Sequence, residues 1–133
     1  MLRPAVLAAA LLAVVTLPAA AQDHSRTERV QFARGASSAT LHGNLHGYDS
    51  VDYVLGARRG QTLSVRMQTS NASAYFNVLP SGGDGTALDG AANVVDWRGV
   101  LPANGDYVVR VYLMRNAARR DEHANYTLSI GVR

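Results

Sequence analysis

Two arginines four positions apart, Arg115 and Arg119, offer chemistry that a fold alone does not require. If the segment around them forms one helical turn, both side chains lie on the same face of that turn. Each guanidinium group can then bind a carboxylate through two parallel hydrogen bonds. The alternative is that both arginines pair with Asp121 and Glu122 on the surface, where an ion pair contributes little free energy. The residues alone leave both interpretations open.

Two tyrosines lie at other predicted turns. Tyr48 lies in the short segment Gly47-Tyr48-Asp49, and an aromatic ring at such a turn either packs onto its own hairpin or binds a partner. Tyr107 ends the segment Asn104-Gly105-Asp106-Tyr107, in which Asn-Gly is a strong hairpin signal because both residues tolerate positive φ. Structure alone is a sufficient explanation for this second segment.

The enzyme and metal-site classes find little support in the composition. The chain has 133 residues, no Cys and no Lys, so thiolate nucleophiles, Cys-ligated zinc, Schiff bases and P-loops are excluded. Two histidines, His42 and His46, would share one face of a flat strand, but no third ligand is near them in sequence, and we predict no metal site. The Asp-containing loop 80–90 lacks the ligand spacing of an EF-hand. We therefore expect no catalytic residue, no cofactor and no metal.

The first 21 residues have the pattern of an export signal. Arg3 precedes an apolar run from Ala5 to Leu17, and Ala19-Ala20-Ala21 supplies the small residues that a signal peptidase requires. We expect cleavage after Ala21, which leaves residues 22–133 as one exported domain without a membrane anchor. The formal net charge is +3, and it falls to +2 when Arg3 is removed. Both this small positive charge and the predicted export argue against nucleic-acid binding.

Side chains alternate between apolar and polar along most of this domain, which is typical of β-strands with one buried face. Residues 107–113 show the alternation over two full faces, and turn residues separate such runs throughout the chain. The predicted strands are 29–33, 39–45, 50–57, 62–69, 74–79, 94–101, 107–113 and 126–132. About eight short strands predict an all-β fold, an antiparallel two-sheet β-sandwich of jelly-roll-like form.

A family resemblance rests on short segments spread over nearly the whole mature chain, in order. The first half supplies Val30–Ala39, Gly43, Gly47–Asp49, Tyr53 and Gly60-Gln61; the second supplies Leu101–Tyr107, Arg110-Val111, Arg115–Arg119 and Tyr126. Together they resemble the periplasmic inhibitors of goose-type (g-type) lysozyme. Two segments, Gly60–Leu63 and Asn104–Tyr107, also resemble the pre-peptidase C-terminal-like β-sandwich domains.

The inhibitor resemblance implies a non-catalytic β-sandwich that blocks a host lysozyme by inserting loops into its substrate cleft. The lysozyme-binding positions that it implies are Tyr48, Arg115 and Arg119, together with Asn104, Gly105 and Tyr107, where the family has a Ser-Gly-x-Tyr motif and this chain has Asn in place of Ser. It further implies a periplasmic monomer or weak dimer whose partner is g-type lysozyme. The second resemblance implies instead a secreted module that binds a glycan or a protein surface.

Overall fold

A computed structural model of the protein describes residues 25–133, which contain eight strands and one short helix. The predicted export signal and its cleavage site lie outside the described residues. The elements in chain order are β1 (Ser25–Arg29), β2 (Ser38–His46), β3 (Ser50–Ala57), β4 (Thr62–Thr69), β5 (Ala74–Pro80), β6 (Asp96–Val100), β7 (Gly105–Leu113), α1 (Arg115–Arg119) and β8 (His123–Val132). No helix in this part of the chain has the length and apolar character needed to cross a membrane.

The strands form two four-stranded sheets, as the alternation of side chains predicted. Sheet 1 has the order β1-β3-β7-β5, and sheet 2 has the order β2-β8-β4-β6. Within the described domain, the strand pairs are antiparallel except β1 with β3, which is parallel. The inward faces of both sheets supply a continuous apolar core. Its largest fully buried side chains include Tyr53, Phe76, Leu45, Leu55, Leu63, Leu101, Leu128 and Ile130.

The first strand is where the sequence prediction was wrong. A strand was expected over 29–33, but β1 spans Ser25–Arg29, and all five of its residues are exposed. A strand without a buried face has no apolar alternation, so its sequence holds no signal for it. Val30, the residue that follows β1, is buried, and its N–H still donates to the carbonyl oxygen of Val54 at 2.9 Å.

A tyrosine pair joins the two sheets inside the core. The hydroxyls of Tyr53 in sheet 1 and Tyr126 in sheet 2 lie 2.6 Å apart, and the rings meet edge to face. Burial, and then the bond to Tyr53, raise the pKa of Tyr126 far above its ordinary value, so this hydroxyl stays protonated. Gly43 is the cross-strand partner of Tyr126, and a Cβ atom at Gly43 would overlap the Tyr126 hydroxyl. The absent side chain of Gly43 therefore makes the room for the tyrosine pair.

We expect Gly43→Ala to lower the free energy of unfolding by about 1–3 kcal/mol, because the added methyl group overpacks the Tyr53–Tyr126 contact. Urea denaturation followed by tryptophan fluorescence measures this change. Gly83→Ala is the matched control, since a Cβ there would meet the Pro80 carbonyl oxygen at an ordinary 3.6 Å. Equal unfolding midpoints for the two variants would show that the tyrosine pair does not depend on the glycine.

Candidate functional site

The two predicted clamp arginines lie on a helical turn, which is the condition under which their spacing places them on one face. The helix α1 runs from Arg115 to Arg119, and its buried residues Ala117 and Ala118 fix it against the core. Both arginines are exposed, and their separation of one helical turn places them on the same face of α1. The fold therefore presents both arginine side chains to the solvent from one face of α1.

The acids that could have neutralised these arginines are held by other side chains. Glu122 Oε2 lies 2.6 Å from the Arg120 guanidinium, and Asp121 Oδ1 lies 3.1 Å from His46 Nε2. Hydrogen bonds from Asn71 and Arg120 hold the pKa of Glu122 below its usual value. These bonds therefore favour the ionised carboxylate that pairs with Arg120. Within residues 25–133, neither Arg115 nor Arg119 forms an ion pair. The alternative of surface self-pairing is therefore wrong for these two residues.

The turn between β2 and β3 lies directly beside α1. The Gly47 N–H donates to the carbonyl oxygen of Glu122 at 2.9 Å, and a Cβ atom at Gly47 would meet Asp121 Oδ1 at 3.0 Å. Gly47 also has a φ of +58°, which favours glycine. The next residue, Tyr48, has half of its surface exposed (51%). Tyr48 and α1 therefore share one end of the sandwich, here called the arginine end.

Asn71 ties a third connection, between β4 and β5, into the arginine end. Its side-chain nitrogen donates to Glu122 Oε1 and to the His123 carbonyl oxygen, each at 3.0 Å. Its side-chain oxygen accepts the Ser73 N–H at 2.9 Å, which forms an Asx turn. Sequence reasoning missed this residue, although an Asn two positions before a Ser between two predicted strands is a signal for such a turn.

The remaining predicted binding residues lie at the other end of the molecule. Asn104 precedes the nine-residue β7 and Arg115 follows it, so about 27 Å of extended strand separates them. Asn104 Oδ1 accepts the Arg59 N–H at 2.8 Å and so joins two turns. Tyr107 is buried, and its hydroxyl donates to the Ala103 carbonyl oxygen at 2.7 Å. The structure does not bring Asn104, Gly105 and Tyr107 together with Tyr48, and their contacts are those of a structural corner.

The histidines make contacts with other side chains and with each other. His42 Nδ1 lies 3.1 Å from Thr127 Oγ1, while the His46 ring stacks on the His123 ring with 4.1 Å between centroids. No group of three or more His, Asp or Glu side chains in the described part of the chain is arranged to hold a metal ion. The chemistry available at the arginine end is thus the binding of an acidic surface by two arginines and an aromatic ring.

Comparisons with known proteins place this arrangement in context. An Escherichia coli (strain K12) protein named as an inhibitor of g-type lysozyme is 32% identical over 134 residues, covering 99% of this chain and 96% of the relative. The crystal structure of Aeromonas hydrophila PliG, described as a periplasmic inhibitor of g-type lysozyme, matches with a TM-score of 0.72 and 39% identity, covering 84% of this chain and all of that one. No protein-family model matches the chain.

A more distant likeness concerns the fold alone. The pre-peptidase C-terminal domain of a Bacillus anthracis collagenase matches with a TM-score of 0.54 at 11% identity, covering 84% of this chain and 97% of that one. The two families that the sequence resembles thus share one sandwich architecture. The sequence similarity to the Escherichia coli and Aeromonas hydrophila inhibitors, in contrast, extends over the whole described domain.

Proposed function

Because the chain belongs to the family of inhibitors of g-type lysozyme, we propose that it binds and inhibits a g-type lysozyme in the periplasm. It acts there as a stoichiometric inhibitor without catalysis and protects peptidoglycan from lysis by a host enzyme. The relatives are named as inhibitors of this lysozyme class, and the structural relative is described as periplasmic. The predicted export signal at residues 1–21 is consistent with that location.

The observation that most supports the proposal is the pair of unneutralised arginines beside an exposed tyrosine. Glycoside hydrolases of the lysozyme kind work through carboxyl groups in their substrate cleft. Arg115 and Arg119 can each bind an ionised carboxylate in a bidentate manner, and Tyr48 can fill a sugar-binding subsite. We propose that the arginine end enters the cleft and competes there with peptidoglycan.

The connections at the arginine end suit insertion because they are already ordered. Asn71 binds both Glu122 and the start of β8, and Gly47 binds the Glu122 carbonyl oxygen, so three connections are joined through one residue. Loops held in this way lose little conformational entropy on binding. The small positive net charge provides no long-range steering toward a cationic lysozyme, so short-range contacts from the arginines must supply the affinity.

A lysis assay tests the proposal. Purified mature protein is titrated against goose-type, chicken-type and invertebrate-type lysozymes acting on bacterial cell walls. We expect inhibition of the goose-type enzyme at a one-to-one ratio and none of the other two. If folded protein in molar excess leaves the goose-type enzyme active, the inhibitor proposal is wrong, and a secreted module that binds a glycan or another protein becomes the better hypothesis.

The binding role predicted for Asn104, Gly105 and Tyr107 needs a separate test, since these residues lie far from Tyr48. We expect Asn104→Ala to lower the free energy of unfolding by about 1 kcal/mol through loss of the Arg59 hydrogen bond, and to leave the inhibition constant unchanged. Thermal unfolding and the lysis assay on the same preparation measure both quantities. A tenfold weaker inhibition at unchanged stability would instead place a second lysozyme contact at this end.

A further inference from the structure

Large exposed hydrophobic side chains are few in the described domain, and two of the four lie at the arginine end. Tyr48 is 51% exposed and Met114, the residue before α1, is 40% exposed. The others, Val95 and Val100, belong to the β5–β6 loop and to the far end of β6. Exposed apolar side chains that cluster mark interaction surfaces more often than isolated ones do.

The strand register places Met114 at the same end of the sandwich as Tyr48. In sheet 1 the antiparallel pairing of β3 with β7 sets Ser50 opposite Tyr112. Met114 lies two residues past Tyr112, while Tyr48 lies in the turn before β3, where the Asp49 N–H donates to the His46 carbonyl oxygen at 3.0 Å. The Met114 N–H donates to the Ser73 carbonyl oxygen at 2.9 Å, so the pairing of β7 with β5 also continues to this position. Met114 therefore lies at the end of sheet 1 that adjoins α1.

The neighbouring row adds two more aromatic rings on the same outer face. Tyr112 on β7 is the cross-strand partner of Tyr75 on β5, and both side chains are partly exposed. Side chains two positions apart along a strand point to the same face. Met114, Tyr112 and Tyr75 thus share the outer face of sheet 1, and Tyr48 lies in a turn at the same end; these four residues are here called the tyrosine–methionine patch.

Hydrogen bonds hold Tyr112 in the patch, and polar groups form its border. The Tyr112 hydroxyl donates to Asn77 Oδ1 at 2.9 Å and also contacts Asn93, and the Asn93 N–H donates to the same Asn77 oxygen at 2.7 Å. The next row contains the Asp52–Arg110 ion pair, with Arg110 Nε 2.8 Å from Asp52 Oδ1. Aromatic and Met side chains surrounded by polar groups are the composition of a binding interface centre and its rim.

The outer face of sheet 2 has a different character at the same end. Its exposed side chains there are Asn44, His46, His123 and Asn125, which are all polar. The arginine end therefore adjoins an apolar surface on β5 and β7 and a polar surface on β2 and β8. This difference between the two sheets favours sheet 1 as the side on which a partner makes further contact.

We propose that the lysozyme footprint extends from the arginine end over the tyrosine–methionine patch on sheet 1, and not over sheet 2. This inference rests on the proposed function, because the occupant is the same lysozyme that receives Arg115 and Arg119. The arginines contact the carboxyl groups of the cleft, while Met114 and Tyr75 bind the apolar rim of the cleft.

Inhibition constants for four variants test this inference. We expect Met114→Ala and Tyr75→Ala each to weaken inhibition of the goose-type enzyme about tenfold. Asn44→Ala and Asn125→Ala, which remove side chains from the sheet 2 face, are the matched controls and should change inhibition less than twofold. Circular dichroism and thermal unfolding confirm that each variant is folded.

Failure of this inference is distinguishable from failure of the proposed function. If the unchanged protein does not inhibit, the proposed function is wrong. If the unchanged protein inhibits and Arg119→Ala weakens it, but the Met114 and Tyr75 variants inhibit normally, only the patch is overturned. Hydrogen exchange of the unchanged protein provides a second measurement that needs no variant: the complex should protect β5 and the end of β7 and leave exchange in β2 unaltered. Protection of β2 alone would also overturn the inference.

Discussion

Replacing both arginines of α1 with alanine is expected to raise the inhibition constant for goose-type lysozyme about 1,000-fold. Removing one partner of a desolvated charge pair costs about 2–5 kcal/mol, and about 4 kcal/mol for the two together corresponds to this factor. The fold should survive, because the buried residues of α1 are Ala117 and Ala118 and not the arginines. Titration in the lysis assay gives the inhibition constant, and thermal unfolding reports on the fold.

The matched control for this double variant is Arg58→Ala with Arg59→Ala, in the turn between β3 and β4. It removes the same two charges from exposed residues at the other end of the sandwich. If inhibition depended only on overall charge, both double variants would weaken it equally. We expect the control to remain within about threefold of the unchanged protein, and an equal loss in both would contradict the clamp.

Tyr48→Ala is expected to weaken inhibition about 30-fold, mainly by faster dissociation. Tyrosines at the centre of an interface typically contribute 2 kcal/mol or more, and changes to one interface act mostly on the dissociation rate. The stability of the free protein should hardly change, since half of the Tyr48 surface is already exposed. Surface plasmon resonance with immobilised lysozyme separates the two rate constants.

Two further variants identify what Tyr48 contributes. Tyr48→Phe should retain most of the affinity if the ring fills a subsite, whereas a loss as large as that of Tyr48→Ala would assign the contact to the hydroxyl. Val100→Ala removes another exposed apolar side chain from the end of β6 and serves as the control. Unchanged dissociation of Tyr48→Ala would remove Tyr48 from the interface.

The strand prediction succeeded where a buried face imposes a period of two. The predicted bounds of β3 and β4 agree with the observed ones. In β4 apolar and polar side chains alternate, and in β3 buried and less buried residues alternate from Ser50 to Leu55. The strand β1 was missed because no residue in it is buried, so tertiary pairing with β3 determines its conformation. Its parallel pairing also departs from the purely antiparallel sandwich that was predicted.

The candidate site was predictable only in part, because part of it depends on tertiary contacts that the local sequence does not encode. Local spacing indicated the one-turn arrangement of Arg115 and Arg119, since a helical turn depends on neighbouring residues. Their closeness to Tyr48 depends on long-range contacts such as His46 with Asp121, which no local pattern encodes. The separation of Asn104 from Arg115 was foreseeable, in contrast, because the two flank a single predicted strand.

Competition with substrate is the most direct measurement of the central claim, which is that the arginine end occupies the lysozyme cleft. The apparent inhibition constant is measured at increasing concentrations of a soluble peptidoglycan fragment that fills the cleft. If the arginine end and the fragment exclude each other, this constant rises in proportion to the fragment concentration. A constant that stays level as the fragment saturates the enzyme would mean that the protein binds elsewhere on lysozyme.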